Sequence, residues 1–124
     1  MYQLMVRGFF CAAHKLMFYD GKCENLHGHN YKVEVFINCH ELDKIGLGVD
    51  FCHLKKMLGL VLNRFDHTVL NELPEFHSIN PSAENISRII YRLFFDELIK
   101  YKGTCLAKVN VWESENCMAS YFEQ

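Results

Sequence analysis

The sequence predicts an α+β domain of order ββααββ, in which an antiparallel sheet carries two helices on one face. Three observations predict it. Two early stretches are built of alternating or densely apolar residues, two later stretches repeat apolar residues at helical spacing, and two β-rich runs flank a polar turn near the end. With 124 residues there is room for one sizeable core and not for two, so residues 1–124 are read as one domain.

Residues 2–14 are rich in aromatic and aliphatic side chains and read as the first strand. The interval Tyr19-Asp20-Gly21-Lys22 breaks the pattern. From His29 to Ile37 the alternation is regular. His29, Tyr31, Val33, Val35 and Ile37 share one face, and Asn30, Lys32 and Glu34 share the other. The first two strands thus form an antiparallel pair joined by a long loop. Asp50 is placed to cap a helix over 51–64, with Leu54, Leu58, Val61, Leu62 and Phe65 on one side. A polar connection from Asp66 to Ile79 follows. Asn80 and Pro81 are expected to open the second helix, because proline fits the first helical position where no amide donor is needed. Ile86, Ile89, Ile90, Leu93, Phe94 and Leu98 keep the helical period, and Gly103 ends the run. Residues 105–113 and 117–122 form a closing hairpin around Ser114-Glu115-Asn116. Four strands with open edges invite closure by neighbouring subunits.

The composition excludes several classes of function. A formal net charge of -2 leaves no basic footprint for nucleic acid. No apolar run approaches the ~18 residues of a membrane span, and the first residues lack the pattern of a signal peptide. The six cysteines contain no C-x-x-C pair, so they are expected to be reduced thiols in a cytoplasmic protein.

Chemistry concentrates in Cys23-Glu24-Asn25-Leu26-His27-Gly28-His29. Alternate residues of a strand face the same way, so His27 and His29 can reach one ion together. His14, at the end of the first strand, supplies a third imidazole. Three imidazoles with a position left open match a catalytic zinc, although the same ligands suit copper, nickel and iron. Cys23 has three readings: a thiolate base assisted by Lys22, a filler thiol, or a fourth ligand that would close the site and make it structural. Asp66 beside His67 is a pair in which a carboxylate can orient an imidazole, and equally an ordinary loop feature. Glu113 lies in phase with Val109 and Val111 and so extends a buried face, unless the strand end is exposed. Glu84 falls in the first turn of the second helix, where the helix dipole alone favours an acid.

Together the segments Ala12-Ala13-His14, Gly21-Lys22-Cys23, Leu26-His27-Gly28-His29-Asn30-Tyr31, Val49-Asp50-Phe51, Asp66-His67 with Leu70-Asn71, Asn80-Pro81-Ser82-Ala83-Glu84-Asn85 and Val111-Trp112-Glu113 resemble the 6-pyruvoyltetrahydropterin synthase / 6-carboxytetrahydropterin synthase family. They run in order across nearly the whole chain. The resemblance implies the tunnelling fold, whose ββααββ subunits join their sheets into an oligomeric barrel, commonly a homohexamer built as a dimer of trimers with sites at subunit interfaces. It assigns zinc to His14, His27 and His29. It makes Cys23 the proton acceptor and His67 and Glu113 relay partners, with Asp66 supporting His67. Glu113 also becomes an anchor for the pterin ring, with Glu84 and Lys22 as further substrate contacts. The implied substrate is 7,8-dihydroneopterin triphosphate.

The short Cys-x-x-x-His-Gly-His interval resembles the bacterial queuosine-pathway branch, which makes 6-carboxy-5,6,7,8-tetrahydropterin and releases acetaldehyde and triphosphate. The alternatives are the pyruvoyl reaction, which keeps every carbon, and a zinc-binding module without catalysis. Ser82 and Ser114 stand where the family pattern commonly has threonine, and both keep the hydroxyl.

Overall fold

A computed structural model describes residues 1–19 and 24–124, so the assignments to Lys22 and Cys23 lie outside the described residues. Strand β1 (Tyr2–His14) pairs antiparallel with β2 (His27–Cys39) in an unbroken register from Tyr2 opposite Cys39 to His14 opposite His27. Helix α1 (Phe51–Asn63) begins at Asp50, whose carboxylate accepts the Cys52 amide at 2.8 Å. After it comes a two-residue strand β3 (Thr68–Val69), and two short 3-10 turns precede helix α2 (Ala83–Leu98). Strands β4 (Thr104–Ser114) and β5 (Cys117–Tyr121) close the chain. The sheet order is β3-β1-β2-β4-β5.

The expected architecture is present, with three corrections of detail. The stretch from Asp66 to Ile79, read as a connection, contributes β3, which pairs parallel to Ala12 and Ala13. Helix α2 starts later than Asn80-Pro81. Ser82 is extended (ψ 160) and its hydroxyl accepts the Asn85 amide at 3.2 Å, so serine is the cap. Asn80 is unavailable as a cap because its side-chain amide holds another loop. The helix also ends at Leu98, with Ile99 as its cap, and Gly103 instead takes a positive φ of 77 in the turn into β4.

Both helices cover one sheet face. Phe10, Tyr31, Val33, Val35, Ile37, Val109 and Val111 pack there under Leu54, Leu58, Leu62, Ile86, Ile90 and Phe94. Gly8 lets α1 lie close, since a Cβ at that position would stand 2.7 Å from Leu62 Cδ1. His27, His29 and Tyr31 continue the covered face of β2 to the end of the sheet, where the connection from β1 departs.

That connection is held by side-chain amides. Asn71 donates to the Lys15 carbonyl and accepts the Lys15 amide, both at 2.9 Å. Asn80 does the same for Met17 at 2.9 and 2.7 Å. Each asparagine satisfies a donor and an acceptor that the sheet leaves unpaired.

Among the described residues no helix covers the opposite sheet face, yet Glu34 there is buried. It accepts hydrogen bonds from Arg7 Nη2 (2.8 Å), Trp112 Nε1 (2.6 Å) and Asn110 Nδ2 (3.4 Å). Burial raises the Glu34 pKa, and the bonds from Arg7, Trp112 and Asn110 outweigh it, leaving the carboxyl below its ordinary value. A depressed carboxyl contributes stability that is complete above the unfolded-chain value of about 4.3 and is lost as pH falls through the folded value. Urea unfolding between pH 7 and pH 3 is therefore expected to show a smaller acid loss of stability in Glu34→Gln than in the parent chain. Equal pH slopes would contradict this account.

Candidate metal centre

His14, His27, His29 and Glu113 converge at the sheet end, each offering a ligand atom within 4.8 Å of the others. The strand register explains the meeting. His14 and His27 are direct partners across β1 and β2, and His29 sits two residues along the same face. The rings stack edge to face at centroid distances of 4.7 to 5.0 Å. Glu113 reaches in from β4 on the face shared with Val109 and Val111, with its side chain 33% exposed.

The ring nitrogens are oriented from behind. His14 Nδ1 lies 2.7 Å from the Pro81 carbonyl, and His27 Nδ1 lies 2.8 Å from the Asn25 carbonyl. A carbonyl only accepts, so both Nδ1 atoms carry the proton and a neutral ring presents a bare lone pair at Nε2. Burial holds His29 below its ordinary pKa, with His14 and His27 acting in the same direction against the pull of Glu113. His29 is thus neutral near pH 7.

Glu113 Oε1 stands 3.3 Å from His14 Nε2 and 2.9 Å from His29 Nε2. Neither nitrogen makes a hydrogen bond among the described residues. For His14, lone pairs of nitrogen and carboxylate face each other across a nearly buried gap. Such an arrangement is repulsive unless a cation lies between the groups or the ring takes a second proton. A tetrahedral ion with bonds of about 2.1 Å would separate its ligand atoms by about 3.4 Å, within the span of this cluster. The donor set therefore fits a divalent metal.

The other predicted residues that are described, Asp66, His67 and Glu84, lie outside the cluster. Asp66 and His67 form their own pair, Nδ1 to Oδ2 at 3.0 Å, with the His67 side chain 82% exposed. Asp66 Oδ1 also accepts the Cys11 amide at 2.9 Å, and the His67 amide donates to the Cys11 carbonyl at 2.6 Å. These bonds dock the turn on β1, where His67 adopts a positive φ of 58. The Cys11 amide holds the Asp66 carboxyl below its ordinary value, against a smaller opposing effect of burial and with help from His67. An open cleft of about 370 Å³ runs from His67 and Thr68 past Cys11 and Asn30 to Gly28 and His29. Cys11 and Asn30 belong to the sheet face opposite the one that carries the His29 side chain.

Glu84 is exposed in the first turn of α2, outside the cluster. The sequence reading missed Tyr31, Asn71, Asn80 and the Pro81 carbonyl. Tyr31 is fully buried, its ring 5.9 Å from His14 and 5.4 Å from His29, and its hydroxyl has no hydrogen-bond partner among the described residues. The alternation puts Tyr31 on the apolar face, and nothing in it marks a hydroxyl as special.

Known proteins give this geometry a context. The family model for 6-pyruvoyl tetrahydropterin synthase matches residues 3–124. A protein of Archaeoglobus fulgidus, provisionally named a 6-carboxy-5,6,7,8-tetrahydropterin synthase, is 40% identical over 107 residues, covering 86% of this chain and 84% of that one. The 6-carboxy-5,6,7,8-tetrahydropterin synthase of Haemophilus influenzae is 31% identical over 147 aligned positions, covering 99% of this chain and all of the relative. Among solved structures, the 6-pyruvoyl tetrahydropterin synthase of Caenorhabditis elegans superposes with a TM-score of 0.86 at 26% identity, covering 99% of this chain and 96% of its own. Strand order, cluster and full-length match agree, and the chain belongs to the 6-pyruvoyl tetrahydropterin synthase family.

Proposed function

We propose that this chain converts 7,8-dihydroneopterin triphosphate into 6-carboxy-5,6,7,8-tetrahydropterin, releasing acetaldehyde and triphosphate, with zinc at His14, His27 and His29. The observation that carries the reading is the convergence of three imidazoles, two with Nε2 freed by backbone carbonyls, beside a carboxylate. Family membership supplies the pterin substrate class. The Cys-x-x-x-His-Gly-His spacing and the names of the carboxy relatives favour the carboxy product.

In this reading zinc, when bound, acts as a Lewis acid toward the substrate's side-chain hydroxyls and acidifies the neighbouring C–H bonds. Cys23 takes a proton as thiolate, and Lys22 favours that form and contacts substrate. Asp66 holds the Nδ1 proton of His67, which leaves Nε2 to accept or return a proton on the other side of the substrate. Glu113 accepts hydrogen bonds from the pterin ring and completes the relay, and Glu84 is a further substrate contact. We also assign the chain to a cytoplasmic homohexamer, a dimer of trimers, with sites at subunit interfaces. Among the described residues no helix is long and apolar enough to cross a membrane.

A product assay tests the reaction. Purified protein supplied with zinc and dihydroneopterin triphosphate is expected to release acetaldehyde and triphosphate in equal amounts. Triphosphate without acetaldehyde would assign the pyruvoyl reaction, which the names of the family model and of the Caenorhabditis elegans neighbour keep as the rival. Cys23→Ala is expected to lower turnover by about 100-fold or more while zinc content is unchanged. Loss of zinc from that variant would instead mark Cys23 as a fourth ligand.

A further inference from the structure

Beside the cluster, the Tyr31 hydroxyl is buried and has no hydrogen-bond partner among the described residues. Tyr31 has no exposed surface, and its ring stacks on Phe10 at 4.7 Å with an interplanar angle of 12°. A phenylalanine would make the same stack and the same edge contacts with His14 and His29. A buried hydroxyl without a partner is destabilising relative to a bonded one. A group that changes place when the site is filled can supply the partner.

The register names that partner. Lys32 is opposite Trp112 and Val33 opposite Val111, so the next antiparallel step sets Tyr31 opposite Glu113 on the covered face. In this structure the Glu113 carboxylate is turned toward the Nε2 atoms of His14 and His29. Those are the nitrogens that a metal would take. An ion held by the imidazoles relieves the repulsion that now faces the carboxylate and removes any need for Glu113 to share protons with the rings. A neutral phenol across the strand pair is a donor on the same sheet face as the carboxylate.

We propose that Tyr31 is a positioning residue of the metal centre, its hydroxyl donating to the Glu113 carboxylate when the three imidazoles hold a metal. The inference rests on the metal reading of the cluster. It assigns Tyr31 a role through Glu113, with no contact of its own to substrate. A carboxylate bonded in this way keeps its orientation and its negative charge next to the ion, as outer-layer partners of metal ligands do.

The test is zinc affinity of the metal-free protein, measured with zinc ion against a competing chelator. Tyr31→Phe is expected to weaken zinc binding about tenfold in the parent chain and to have no effect in a Glu113→Ala background. The metal-free Tyr31→Phe protein is expected to melt at the same temperature as the parent or higher, because an unpaired hydroxyl has been removed. Unchanged zinc affinity in Tyr31→Phe, or the same loss with and without Glu113, would overturn the assignment while leaving the metal reading intact. A lower melting temperature of the metal-free variant would also overturn it, by showing that the hydroxyl already has a structural partner. Failure of the parent chain to bind zinc would remove both readings together.

Discussion

The hydrogen bond from His14 Nδ1 to the Pro81 carbonyl joins the two halves of the molecule at the point where they matter chemically. His14 ends β1, and Pro81 lies just before α2, so the bond ties the sheet to the entry of the second helix. It also decides which nitrogen of the ring carries the proton. Without that acceptor the imidazole could turn its proton toward Glu113, and the cluster would become a set of ordinary hydrogen bonds. With it, a lone pair faces a carboxylate in a buried place, and a cation becomes the simplest resolution.

The surrounding loops serve the same end by different means. Asn71 and Asn80 each take both polar groups of one residue in the connection that leaves β1. Glu24, on the returning side, pairs its amide with the Leu16 carbonyl at 2.9 Å. The two ends of the connection are thus joined to each other and to the turns that precede α2. On the neighbouring edge, the two-residue β3 and the bonds of Asp66 hold His67 against β1 in a left-handed conformation. Such a conformation costs a histidine about 1–3 kcal/mol, and the two backbone bonds around Cys11 offset it.

Much of this was legible in the sequence because it follows from periodicity. Alternation placed His29 and Tyr31 on one face, and the helical spacing of Ile86 to Leu98 set the buried side of α2. The phase of Val109 and Val111 put Glu113 on the covered face, though not beside the imidazoles. Helix α2 starts later than the sequence predicts because Asn80-Pro81 satisfies the local rule for a helix entry, whereas the asparagine is engaged in a contact 63 residues away in sequence. Parallel pairing of Thr68 and Val69 could not be read from two residues. Burial of Glu34 depended on three donors from two other strands, which no local pattern reveals. Backbone carbonyls that orient rings carry no residue signature at all.

That last point bears on how tolerant the site is to mutation. The acceptors behind His14 and His27 belong to the main chain of Pro81 and Asn25, so no exchange of side chain deletes them. A saturation scan would register the four converging side chains as intolerant and would leave Asn25, exposed at the surface, almost silent. The layer that selects the tautomer is written in the path of the chain, and drift in amino-acid identity around it can be wide while the chemistry of the rings stays fixed.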